Sequence, residues 1–297
     1  MKLGAVFPQT EIGPDPRDVA RYAVEIERMG YDHLVAYDHV LGADPDRPDG
    51  RPWKGSYTHR DLFHEPFVLF AYLAALTTRL ELTPSVIVLP QRQTALVAKQ
   101  AAEVDVLTRG RTRLGVGIGW NAVEYEALGM DFSTRGRRIA EQIELMRRLW
   151  CEPVVDFHGR WHQVTKAGLE PLPVQRPIPV WMGGGYAAGT KETNEPALRR
   201  IARIADGWLT HVQPEDERAI SRFRELVRAA GRDDTKVGLE GRVNAGRVPP
   251  ERWPAEVSWW RKMGATHVEL NTMGASYRSL DEHLEALTRF ARVVRGS

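Results

Sequence analysis

Apolar residues along this chain recur with two periods that take turns. Short runs rich in Val, Ile and Leu, as long as a buried parallel strand, alternate with longer stretches where apolar positions return every three to four residues. The strand-like runs fall at residues 3–7, 34–37, 80–89, 113–118, 179–182, 207–210, 237–243 and 268–271. Helical spacing occupies 15–29, 66–76, 94–107, 135–150, 196–205, 215–230, 254–263 and 280–294. In the first of these helices Val19, Tyr22, Ala23, Ile26 and Met29 share a face, and Gly30 supplies the stop. Eight strand–helix units in 297 residues predict parallel strands covered by helices, closed as a (β/α)8 TIM barrel rather than left as an open sheet. No Pro/Ser-rich linker interrupts the series, so residues 1–297 read as one domain.

Two segments exceed the bare repeat. Residues 42–65, after strand two, form a long connection rich in Gly, Pro, Asp and His, and loops of that length in compact domains are usually lids or disordered. Residues 154–177, before strand five, read as a small hairpin around Phe157-His158-Gly159-Arg160-Trp161. Chemistry in a barrel sits at the C-terminal ends of the strands, which is where the first segment lies, so it is expected to be a substrate lid.

Bulk composition narrows the classes. A net charge of +2 with 27% charged residues gives no strong field for nucleic acid or a membrane surface. The single cysteine, Cys151, excludes an intrachain disulfide and a thiolate cluster, and no apolar run approaches the ~18 residues of a membrane span. The expectation is a cytoplasmic protein.

The strand ends carry the candidate chemistry. Strand four runs Leu114-Gly115-Val116-Gly117-Ile118-Gly119-Trp120, strand five ends in Trp181-Met182-Gly183-Gly184-Gly185, and strand two ends in Tyr37-Asp38-His39. Glycine lacks the Cβ that would hold a flat ligand away, so these ends predict one shared site. Asp38 beside His39 suits proton transfer near neutral pH, although a histidine there can equally cap a helix or pack beneath the lid. Pro84 predicts a kink in strand three near Ser85 and Val86, either a prop for a bound ring or a plain irregularity. Gly183, Gly184 and Gly185 could cradle a phosphate, yet they match neither dinucleotide fingerprint nor P-loop. Gln9, His211, Asn244 and Asn271 stand at the remaining strand ends as rim candidates, and Glu124 lies one turn beyond strand four. His158 and His162 fall in the hairpin rather than on a helix, so no metal is expected. With no nucleophile elbow and no lysine at a strand tip, the inventory suits a cofactor that performs the chemistry.

At these residues the sequence resembles the luciferase-like monooxygenase superfamily, and within it the branch using the deazaflavin coenzyme F420. The resemblance runs through Gly30-Tyr31-Asp32-His33-Leu34-Val35-Ala36-Tyr37-Asp38-His39 and Pro84-Ser85-Val86-Ile87-Val88-Leu89-Pro90. It continues through Gly115 to Trp120, Glu124-Tyr125-Glu126-Ala127-Leu128-Gly129, Pro179 to Gly184 and Ala205-Asp206-Gly207-Trp208. It implies that Asp38 and His39 lie over the cofactor ring, His39 as acid/base. It implies a non-prolyl cis peptide at Ser85–Val86 backing the deazaflavin, and contacts from Ile118, Gly119 and residues 183–185 to ring and phosphate tail. Sugar-phosphate dehydrogenases of this branch carry a catalytic carboxylate where this chain has Trp120, so that substrate does not transfer. Trp120 instead suggests an apolar or aromatic substrate beside the ring. The resulting expectation is a homodimeric, F420-dependent oxidoreductase with His39 managing a proton. An FMN-dependent monooxygenase and a non-catalytic flavin- or deazaflavin-binding protein are the alternatives.

Overall fold

The computed structural model describes residues 1–47, 55–185, 192–210, 212 and 216–296. In chain order the elements are β1 (Lys2–Val6), α1 (Pro16–Arg28), β2 (His33–Ala36), α2 (Pro66–Ala74), β3 (Glu81–Pro84), β4 (Ile87–Val88), α3 (Thr94–Thr108), β5 (Leu114–Gly117), α4 (Ala122–Ala127) and α5 (Arg135–Cys151). They continue with β6 (Val155–His158), β7 (Gln163–Ala167), β8 (Val180–Gly183), α6 (Glu195–Ile204), β9 (Gly207–Leu209), α7 (Glu217–Ala229), β10 (Gly238–Asn244), α8 (Trp253–Lys262), β11 (His267–Asn271) and α9 (Leu280–Gly296).

Nine strands form one parallel sheet in the order β3-β2-β1-β11-β10-β9-β8-β5-β4. Its two ends are consecutive pieces of chain. β3 pairs with β2, β4 pairs with β5, and a bridge from Leu82 to Thr112 ties the first piece to the far side. Counted as one interrupted strand, β3 and β4 bring the number to eight and close the barrel. The interruption is the Ser85–Val86 peptide bond, which is cis. The segment before β8 contains the expected hairpin, with β6 and β7 antiparallel. Of the insertion after β2, residues 48–54 lie outside the described residues, as does His211.

Helix ends follow ordinary capping. Asp15 accepts a hydrogen bond from Arg17 N at 2.9 Å with Pro16 opening α1, and the helix buries Val19, Tyr22, Ala23 and Ile26 against the barrel. The apolar core lies between strands and helices, where Trp150, Trp208, Trp253 and Trp260 are fully buried. Among the described residues no helix is long and apolar enough to cross a membrane.

The barrel interior is charged. Side chains two apart on a strand share a face, and the register sets Glu240 opposite His267, Arg242 opposite Glu269 and Asn244 opposite Asn271. Deepest, His33 Nε2 lies 2.6 Å from Glu240 Oε1, Arg113 Nη1 donates to Glu240 Oε2 at 2.5 Å, and Arg113 Nε donates to Glu81 at 2.8 Å. Burial alone would raise the Glu240 carboxyl, but Arg113 and His33 hold it well below the usual range. One layer higher Arg242 pairs with Glu269. His33, Glu240 and Glu269 come close enough together to share an ion; Arg113 pairs with Glu240, and Arg242 takes one oxygen of Glu269 while its Oε2 has no hydrogen-bond partner.

Candidate active site at the barrel mouth

Because the strands run parallel, their C-terminal ends share one face. That face gathers Asp38 and His39 after β2, Ser85 and Val86 between β3 and β4, Ile118 to Trp120 after β5, and Gly183 to Gly185 at the end of β8.

Asp38 and His39 lie just beyond β2 and find different partners. Asp38 is buried and turns toward β4. Its Oδ2 accepts from Val88 N at 2.9 Å and Arg92 Nε at 3.2 Å, and its Oδ1 accepts from Arg92 Nη2 at 2.7 Å. Arg92 also reaches Glu65 at 3.0 Å. Asp38 therefore fastens β4 and the start of α3 to β2, and the acid–histidine pair read from adjacency does not form.

His39 finds a different carboxylate. Its Nδ1 is buried, has no hydrogen-bond partner and lies 3.7 Å from Glu124 Oε1. The ring sits 3.9 Å from that of Tyr57 and 4.7 Å from that of Phe63, with Trp120 at 6.3 Å. Its side chain keeps 19% exposure, so one edge still faces the mouth. Glu124 belongs to α4, a six-residue helix that periodicity could not reveal. Its carboxylate accepts from Val40 N at 2.6 Å and Leu41 N at 3.3 Å, which pins the chain just beyond His39. Asn121 caps α4 through Val123 N at 3.1 Å and donates to the Tyr57 hydroxyl at 2.8 Å and to Leu41 O at 3.2 Å. Burial pushes the Tyr57 phenol up, Asn121 pulls it down, and Glu124 raises it again. Tyr57 thus stays a neutral hydroxyl. The result is one imidazole between aromatic walls, backed by a carboxylate that the fold holds in place.

Most of these glycines make room for neighbouring side chains. A Cβ on Gly117 would lie 2.4 Å from Val86 Cγ2, and one on Gly183 2.7 Å from Val86 Cγ1. β5 and β8 are bared so that Val86 can stand between them, half-buried at the mouth. Gly119, at φ 65°, backs onto Val88, and Gly185 onto Leu198 and Trp208. Gly184 alone of the triplet, at φ 119°, has open space where a side chain would go. Trp120 is 39% exposed, its ring edge-on to Tyr57 at 5.2 Å.

Gln9 is fully buried rather than on the rim, donating to Tyr37 O at 3.0 Å. In the hairpin, His162 spends both ring nitrogens on Glu141 and Thr94, while His158 is exposed beside Asp156 and Gln163. Asn244 and Asn271 do face the mouth, where with Arg242 and Arg247 they line a polar cavity of about 510 Å³. Arg247 and the interior arginines escaped sequence reasoning. The signal was present in the inward spacing Glu240, Arg242, Asn244, which puts charge where aliphatic residues usually fill a barrel.

The family model of luciferase-like monooxygenases matches residues 1–292. The chain belongs to this family. It is an oxidoreductase of the luciferase-like class on a TIM barrel. An uncharacterized protein of Mycobacterium tuberculosis (strain ATCC 25618 / H37Rv) is 40% identical over 214 residues, covering 69% of this chain and 70% of its own. The F420-dependent glucose-6-phosphate dehydrogenase of Segniliparus rotundus is 32% identical over 203 residues, 66% of this chain and 53% of that enzyme. The chain thus matches only about half the length of that dehydrogenase. Among solved structures, an F420-dependent secondary alcohol dehydrogenase in complex with an F420–acetone adduct superposes with a TM-score of 0.76 at 18% identity, covering 99% of both chains, a likeness of fold.

Proposed function

We propose that this luciferase-like oxidoreductase uses coenzyme F420 to move a hydride to or from an apolar or aromatic small molecule. The observation that carries the reading is His39, whose Nδ1 faces the buried Glu124 with no other partner while aromatic rings wall the imidazole. The F420-dependent dehydrogenase among the relatives supports the choice of coenzyme.

The residues fit a flat ring with an anionic tail. Val86 offers an apolar face, Ser85, Ile118 and Gly119 flank it, and the open backbone at Gly184 suits a phosphate. When bound, the deazaflavin supplies or accepts the hydride at its C5 position. His39 gives a proton to, or takes one from, the reacting substrate atom, and Glu124 orients the imidazole that does so. Tyr57 and Phe63, in the described part of the connection after β2, keep water from that ring. Trp120 stacks on the substrate beside the coenzyme, and Asp38 acts indirectly by holding β4.

Parallel absorbance and fluorescence titrations with oxidised F420 and with FMN test the reading. A saturable change with F420 alone is expected. Binding of FMN alone would favour the second reading, an FMN-dependent monooxygenase, which the family description supports.

We also propose a cytoplasmic homodimer. Val68 and Tyr72 on α2 and Leu96 on α3 are exposed, an apolar face that a second copy would cover. Light scattering of the eluted protein should give twice the chain mass, and Val68→Glu should give a monomer.

A further inference from the structure

Beside the His39 chamber the mouth has a second compartment, of about 510 Å³, lined by Arg242, Asn244, Gly246, Arg247, Asn271 and Met273. It opens over the tips of β10 and β11, the top of the ladder of inward-facing polar residues. β9 separates it from the Gly184 turn at the end of β8.

Its donors and acceptors do not balance. Asn244 Oδ1 accepts from Asn271 Nδ2 at 3.2 Å, and Asn271 Oδ1 accepts from Met273 N at 3.0 Å. Both side-chain acceptors are therefore used, whereas the Asn244 amide nitrogen has no acceptor among the described residues. The guanidinium of Arg247, exposed at the entrance, has neither a hydrogen-bond nor an ion-pair partner among them. At the floor Arg242 is almost buried, pairs with Glu269 and reaches Ser85 Oγ at 3.3 Å, so the compartment adjoins the bend in the third barrel strand. Among the described residues no carboxylate lines it. A chamber of surplus donors with one uncompensated cation is complementary to an oxyanion, whose charge-assisted bonds are about twice as strong as neutral ones.

We propose that this compartment receives a carboxylate or phosphate carried by the substrate, so that the substrate class is an aromatic or apolar body ending in an acid group. Arg247 and the Asn244 amide bind the oxyanion, and Arg242 presents a fixed guanidinium beneath it. The proposal rests on the hydride-transfer reading only in treating the neighbouring aromatic chamber as the place for the substrate body. The same oxyanion chemistry could belong to the coenzyme's phosphate tail, and the experiment separates the two.

The full-length protein is titrated calorimetrically with benzoate, phenyl phosphate and neutral benzyl alcohol, each with and without saturating oxidised F420. Benzoate or phenyl phosphate should bind about tenfold or more tightly than the alcohol, the scale of one charge-assisted contact. Arg247→Ala should abolish that preference, Arg247→Lys should keep part of it, and the coenzyme's own affinity should not change. Equal binding of acids and alcohol by the wild type overturns the proposal, as does a preference that survives in Arg247→Ala. Weakened coenzyme binding in Arg247→Ala also overturns it, assigning the oxyanion to the coenzyme. If F420 does not bind yet acids are still preferred through Arg247, the oxyanion site stands and the coenzyme reading falls.

Discussion

Asp38→Asn distinguishes the carboxylate that holds the site together from the one that serves His39. Asp38 satisfies two nitrogens of Arg92 and the Val88 amide, and the side chains of both Asp38 and Arg92 are largely buried. Removing one partner of a buried ion pair typically costs about 3–5 kcal/mol, because the other charge is stranded. Here Glu65 at 3.0 Å still compensates part of Arg92, and the asparagine oxygen can still accept from Val88. The expected loss of unfolding free energy is therefore about 2–3 kcal/mol. The comparison is Glu124→Gln, which keeps the shape and turns charge-assisted bonds to Val40 N and Leu41 N into neutral ones, for about 1–2 kcal/mol. Urea unfolding measures both, and single-turnover hydride transfer with reduced coenzyme measures what remains of the chemistry. Glu124→Gln should lower the rate about a hundredfold, the scale of losing an oriented proton-transfer group. Asp38→Asn should act chiefly through stability. An Asp38→Asn protein within about 0.5 kcal/mol of wild type but catalytically dead, beside an active Glu124→Gln, would refute the assignment.

Other expectations follow from the same geometry. Gly183→Ala puts a methyl 2.7 Å from Val86 Cγ1 and should cost about 1–3 kcal/mol by overpacking; Val86→Ala in the same chain should restore part of it, and strict additivity would contradict the packing. His283 is buried, with Nδ1 2.8 Å from Thr272 Oγ1 and Nε2 3.4 Å from Glu11. Burial lowers its pKa to about 4, with Glu282 opposing. The unfolded chain therefore takes up this proton first, and stability should fall by about 3 kcal/mol as pH drops from about 6.5 to about 4. Unfolding midpoints across that range check it, and His283→Gln should flatten the trend.

How much the sequence disclosed depended on whether a feature is local. Strand and helix positions follow from periodicity, and a break close to Pro84 was visible because proline cannot donate to the ladder. Pairing was not visible. Asp38 and His39 are adjacent, yet Asp38 pairs with Arg92, and the carboxylate beside His39 comes from 85 positions later on a helix too short to leave a periodic trace. The glycines of β5 and β8 did mark a close approach, but the approaching group is Val86, a fact set by which strands neighbour each other in the closed barrel. Arg247 lies outside every periodic segment, and only the fold turns it over the cavity above β10.

A crystal structure of the protein with oxidised F420 tests the central claim most directly. The account predicts the tricyclic ring in van der Waals contact with Val86, about 4 Å away, with His39 and Trp120 bordering its open side and the phosphate tail at Gly184. A ring bound elsewhere, or a mouth that excludes it with Tyr57 and Phe63 still closed on His39, would contradict the account.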